Sequence, residues 1–191
     1  MTRTRAFTPS PALLGLALPL ALAVSAGACD PDEGPAREDP EAILAAVVDY
    51  ESTMERVDLN GVETIHPVAG GGKTAQIWAT PEAAAIFRTL DFDAPPPAEG
   101  SVEFPQGTIF VKAIFEPDTG EALDVLQIAA KFEPGYHPAA ADWWYAITTR
   151  SGEVLMEVEG KGGEVEFCRD CHDSMGGDWD RVIPLSADNL R

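Results

Sequence analysis

Close to its C-terminal end the 191-residue chain reads Glu166-Phe167-Cys168-Arg169-Asp170-Cys171-His172. Two thiols spaced Cys-x-x-Cys fall on about one helical turn, and an imidazole follows directly. This is the spacing of covalent c-type haem attachment. Each thiol would add across one vinyl group of a single porphyrin, and His172 would then lie under the iron as axial ligand. Three rival chemistries fit less well. A thioredoxin-like dithiol opens a helix near the start of a βαβ unit, whereas this motif follows a run of strands. A structural zinc site takes four ligands, and no second Cys or Cys/His pair is present. A plain Cys168–Cys171 disulfide leaves His172 without a role.

A ligand for the other face of such an iron is harder to find. Only 19 residues follow His172, and Met175 is too close in sequence to cross a porphyrin. The remaining candidates are His66, His137, Met54 and Met156. Each reads more simply as structural: His66 precedes Pro67, His137 sits in a turn between Tyr136 and Pro138, and both methionines fall on apolar stripes. The sequence therefore predicts an open or weakly held sixth position, suited to ligand binding or catalysis. A plain electron carrier, with an upstream sixth ligand, is the alternative.

Lys112 is the next residue out of place. In the strand pattern of residues 107–116 it shares a face with Phe110 and Ile114, and the other face carries Ile109, Val111, Ala113 and Phe115. A cation in an apolar strand is costly unless it is paired, neutralised or chemically consumed. The competing reading is an edge-strand lysine whose stem packs while its ammonium reaches water.

The third cysteine, Cys29, belongs to an address. Residues 1–28 hold Arg3 and Arg5, no acid, an apolar stretch from Ala12 to Val24, and the small residues Ser25-Ala26-Gly27-Ala28. This is a secretory signal, and small residues before a lone cysteine resemble a bacterial lipobox, which predicts acylation of Cys29. Ordinary cleavage, giving a soluble periplasmic protein, is the alternative. Removal of residues 1–28 turns 13 basic residues into 11 against 32 acidic ones, a formal charge of −21. A chain this acidic does not suit nucleic acid or an anionic membrane surface. A basic redox partner is favoured, and the membrane would be reached only through a lipid anchor.

The elements that must position these residues follow from periodicity. Residues 29–40 read as a flexible acidic tether and 41–191 as the folded domain. Asp39-Pro40-Glu41 predicts a helix start, and Ile43, Val47, Tyr50 and Met54 extend the helix over about 40–57. A strand at 74–79 leads to a second capping signal, Thr80-Pro81-Glu82, and a helix to about Leu90. After an irregular connection at 91–106, four strand-like runs with short turns predict an antiparallel meander. The fold class is α+β, with the N-terminal helices on one sheet face and the Cys168–His172 motif on a C-terminal helix. Gly70-Gly71-Gly72-Lys73-Thr74 ends like a phosphate loop, but Pro67 takes the first glycine position and a strand follows, so it reads as a turn.

Four segments in order carry a family resemblance: Phe104-Pro105-Gln106-Gly107-Thr108-Ile109-Phe110-Val111-Lys112, Glu133-Pro134-Gly135-Tyr136, Asp142-Trp143-Trp144-Tyr145, and the late Cys168–His172 motif. Over roughly residues 45–184 the chain resembles the cytochrome P-460 family, which includes the cytochromes c′-beta. The resemblance implies a mainly antiparallel sheet with helices, usually a homodimer, and a five-coordinate haem with His172 proximal. In the hydroxylamine-oxidising members, the lysine at the position of Lys112 is joined covalently to the porphyrin. In the c′-beta members that link is absent and the pocket binds nitric oxide and related gases. Ala113 stands where the family run usually continues with Glu. Two expectations follow: a haem oxidoreductase acting on hydroxylamine or nitric oxide, or a non-enzymatic gas-binding haem protein.

Overall fold

The computed structural model describes residues 38–64, 71–98 and 100–191. The signal segment 1–28, Cys29, the tether as far as residue 37, and His66 lie outside the described residues.

The first helix starts where its capping signal stands. Asp39 Oδ1 accepts from the Glu41 amide at 3.1 Å, and Pro40 opens α1 (Pro40–Ala46). Glu38, assigned to the tether by composition, is already tied down: its amide donates to Glu133, and its carboxylate accepts from Gln106 Nε2. The predicted helix to residue 57 is shorter and broken. It tightens into a 3-10 turn at Val47–Asp49, resumes as α2 (Tyr50–Thr53), and gives way to strand β1 (Glu55–Arg56). Two causes are local and one is tertiary. Val47-Val48 is a β-branched pair, and the Asp49 carbonyl accepts from the Ser52 and Thr53 hydroxyls. Beyond them the fully buried Asp58 carboxylate accepts from Arg56 Nη2, the Gly61 amide and the Ile77 amide, each at 2.6 Å. That network ties the chain after Met54 to the strand that carries Ile77, alongside which it runs extended.

Among the described residues, seven strands form one antiparallel sheet. β2 (Val62–Thr64) and β1 both pair with β3 (Lys73–Ala79), and the order continues through β4 (Ile109–Phe115), β5 (Ala122–Lys131), β6 (Trp143–Thr148) and β7 (Val154–Gly160). The four-strand meander is present, and β3 joins it at β4. The class is α+β, as the periodicity implied. Register sets the cross-strand rows: Ile77, Lys112, Gln127 and Ile147 stand abreast on β3–β6, and Ala79, Phe110, Ala129 and Tyr145 form the next row on the same face.

The helices do not share one face, which corrects the expectation. Ile43, Val47, Tyr50 and Met54 cover Val111, Leu126, Ile128, Trp144 and Ala146. By contrast, α3 (Pro81–Phe87) puts Ala83, Ala84 and Phe87 on the opposite face, with Phe87 and Phe110 ring centroids 5.6 Å apart. The reason lies at Thr80. Its side chain makes no helix cap; its amide donates to the Ile109 carbonyl, and its hydroxyl accepts from the Ile109 amide. The turn is thereby tied to the start of β4 and sends α3 over the Phe110 face. Buried Phe87, Phe104, Phe110 and Trp143 on this face contribute roughly 1.5–3 kcal/mol each by removal from water.

Candidate functional site

The motif lies on helix α4 (Glu166–Gly176), which packs on the Phe110 face of the sheet. Glu166 in its first turn complements the helix dipole, and Val165 and Cys168 supply its buried side. Gly176 closes it for a steric reason: a Cβ there would stand 2.8 Å from the Val182 backbone and 2.9 Å from Arg181 C. The returning chain is therefore pressed directly on the helix end.

That return orients the histidine. After a short 3-10 turn, Asp180 and Arg181 both take the left-handed conformation, at φ 54° and 65°, which costs a non-glycine residue on the order of 1–2 kcal/mol. Four contacts hold it. Lys131 Nζ pairs with both Asp180 carboxylate oxygens, at 2.7 and 2.8 Å, and both side chains are nine-tenths buried or more. Asp180 Oδ2 also accepts from the Phe104 amide, its carbonyl accepts from Trp143 Nε1 at 2.7 Å, and the Arg181 amide donates to the Gly176 carbonyl. The result is that the Arg181 carbonyl stands 2.6 Å from His172 Nδ1. Only the N–H tautomer at Nδ1 can donate to a carbonyl, so Nε2 keeps its lone pair. Burial, with Lys112 adding to it, holds the His172 pKa below the ordinary histidine value despite the Arg181 bond. Burial thus favours the neutral ring, the form that ligates a metal.

A cavity of about 570 Å³ lies between α4 and the sheet. Cys168, Cys171, His172 and Lys112 all line it, together with Phe87, Phe110, Trp143, Tyr145 and Ile147. Its size falls within the roughly 300–1,000 Å³ of small-molecule and cofactor sites. Cys168 and Cys171 are both free thiols. Burial pushes the Cys168 thiol up to about 12, the reverse of the lowered value that makes a redox dithiol reactive. Among the described residues no three His, Cys, Asp or Glu side chains converge to hold an ion. A metal in this cavity would bind through His172 and bring most of its other donors with it, as a porphyrin iron does. The free thiols, the neutral imidazole and the volume fit a covalently held haem.

The other sequence-derived candidates fall as follows. Lys112 is not at a sheet edge: β4 is flanked by β3 and β5. Among the described residues its ammonium meets no carboxylate and no hydrogen-bond acceptor, and burial lowers its pKa below the ordinary lysine value. Met54 belongs to the core on the opposite sheet face. Met156 is not on an apolar stripe but 63% exposed, with φ 55°. Neither it nor His137 lines the cavity, whereas Met175 does, with its sulfur 4.0 Å from Cys171 Sγ on the same helix.

Three lining residues were not legible as site residues. Gln127 Nε2 and Tyr145 Oη are buried without a hydrogen-bond partner, and the Tyr145 ring lies 5.2 Å from the His172 ring. Glu63, exposed on β2, is the one carboxylate among the lining residues. Gln127 alone carried a signal, a polar residue between Val125 and Ala129 on one pleat face. No family model and no curated protein matches the chain. Among the described residues no helix is long and apolar enough to cross a membrane.

Proposed function

We propose that this chain is an exported c-type haem protein of the cytochrome P-460 kind, acting on a small nitrogen compound such as hydroxylamine or nitric oxide. The observation that carries the reading is one cavity lined by Cys168, Cys171, His172 and the unpaired Lys112. Bound there, haem supplies an iron able to bind small nitrogen ligands and to exchange electrons with them.

The chain's own part is positioning and exclusion of water. His172 is held by the Arg181 carbonyl with Nε2 free to ligate. Phe87, Phe110, Trp143 and Ile147 make the walls apolar, which strengthens any electrostatic contact made inside. Burial lowers the Lys112 pKa and so raises the share of its neutral amine, the form that is nucleophilic where an ammonium is not. This supports a covalent link between Lys112 and a porphyrin carbon, which would replace one N–H and one C–H bond by a C–N bond and would need an external two-electron oxidant such as a peroxide. Cys168 is buried in the folded chain, so its sulfur is joined before α4 packs on the sheet. Export by the 1–28 signal, acylation of Cys29, a homodimer and a basic electron acceptor belong to the same reading.

The test is haem retention. Protein made with a working c-haem maturation system should keep its haem on the polypeptide through acid–acetone extraction, and Cys171→Ala should lose stable attachment. Release of all haem into the organic phase from the unaltered protein refutes the reading. Tandem mass spectrometry then decides the chemistry at Lys112. A peptide containing Lys112 joined to the one containing Cys168 supports the oxidoreductase. An unmodified Lys112 peptide from fully loaded protein leaves the gas-binding function.

A further inference from the structure

Resting on the haem reading, we propose that Gln127 binds the oxygen of a nitrogen oxyanion inside the cavity, assisted by Lys112 through the N–H that its nitrogen keeps even when joined to a porphyrin carbon. The two residues are register partners on adjacent central strands, so their side chains leave the same sheet face about 5 Å apart at Cβ. Both line the cavity. Gln127 Nε2 is buried and has no hydrogen-bond partner, and Lys112 has none among the described residues. Their row neighbours, Ile77 and Ile147, are apolar.

A buried donor left unsatisfied is costly, and such groups in native proteins are nearly always paired. The buried Gln127 amide without a protein acceptor, with Lys112 beside it, therefore selects an occupant that brings one. The row supplies N–H groups, and the only lining carboxylate, Glu63, is on the exposed β2, so no buried lining carboxylate competes for them. The chemistry that matches is a small anion with an oxygen acceptor. Two sources could supply it: a free nitrogen oxyanion such as nitrite, or the carboxylate edge of the porphyrin. A diatomic ligand that accepts hydrogen bonds poorly, carbon monoxide above all, should be indifferent to the row.

Nitrite bound to the ferric, haem-loaded protein and carbon monoxide bound to the ferrous protein are titrated optically in wild type, Gln127→Leu and Gln127→Glu. Gln127→Leu should weaken nitrite by about 10- to 150-fold, the ordinary worth of one hydrogen bond to a charged acceptor. Gln127→Glu should weaken it further by repulsion, with carbon monoxide affinity within about twofold in both variants. Unchanged nitrite affinity in haem-loaded Gln127→Leu overturns the proposal. If resonance Raman then shows the propionate bending band shifted in that variant, the porphyrin carboxylate is the partner and the oxyanion assignment still falls. Failure of the haem reading is seen separately, as haem extracted from wild type. In that case nitrite calorimetry on the haem-free protein replaces the optical titration: loss of binding in Gln127→Leu supports the row, and equal binding, or none in wild type, refutes it.

Discussion

Gly176→Ala tests the account of how His172 is oriented. The new methyl would stand 2.8 Å from Val182 C and O and 2.9 Å from Arg181 C, where ordinary contact begins at 3.4 Å. The 181–182 backbone must therefore retreat by roughly 0.6 Å, and its neighbours are anchored by the Lys131–Asp180 pair. Overpacking of this kind costs about 1–3 kcal/mol. Weakening of the Arg181 amide bond to Gly176 and of the 2.6 Å His172 bond adds about 1 kcal/mol each. Reduced entropy of the unfolded chain offsets about 0.4–1 kcal/mol. The net loss of about 2–5 kcal/mol should lower the Tm by about 4–18 °C in a chain of this size. Calorimetry of the mature protein reads the Tm, and nitrogen-15 NMR of the haem-free form reads the His172 Nδ1–H. Gly177→Ala is the control, since its φ is −55° and a Cβ there meets nothing within 4 Å. It should be neutral or slightly stabilising. Equal Tm values for the two variants, with an unchanged Nδ1–H, would refute the reasoning.

Lys131→Met leaves the buried Asp180 carboxylate unpaired and should cost about 3–5 kcal/mol in denaturant unfolding; adding Asp180→Asn, which tolerates the left-handed backbone, should recover part of it. In haem-free protein at pH 8, Cys168 should alkylate far more slowly than Cys171 by peptide mass spectrometry. A thiol raised from 9.0 to about 12 holds on the order of a thousandfold less thiolate, and comparable rates would contradict its burial. Lys112 has a lowered pKa in the folded chain, so between that value and about 10.5 the unfolded chain binds the extra proton and stability rises with pH. Lys112→Met should remove that rise, and the difference between the two stability curves against pH should shrink toward pH 10.5. A difference independent of pH would show that Lys112 is not desolvated.

The sequence by itself determined what depends on adjacency along the chain. The Cys168–His172 spacing, the Asp39 cap and the alternation in β4–β7 are all written within a few residues. So is the anomaly of Lys112, because a two-residue period assigns its neighbours without knowledge of the fold. Short-range patterning also gave the α+β class, since four strand runs with tight turns admit few other arrangements. What lay beyond it was decided by contacts between distant segments. β1 and β2 are two and three residues long, too short for a period, and follow β3 because Asp58 bonds the Ile77 amide. The α3 helix crossed to the Phe110 face because Thr80 is tied to Ile109. Whether Lys112 lay at an edge or in the middle of the sheet depended on β3 pairing with β4, where Ile77 and Lys112 stand abreast although 35 residues apart in sequence. The orientation of His172 rests on Lys131, Trp143 and Phe104 acting through Asp180, and no local pattern announces such a relay. Burial is a property of the whole assembly: Gln127 is an ordinary polar residue until register places it beside Lys112 in an apolar row, where its missing partner becomes informative.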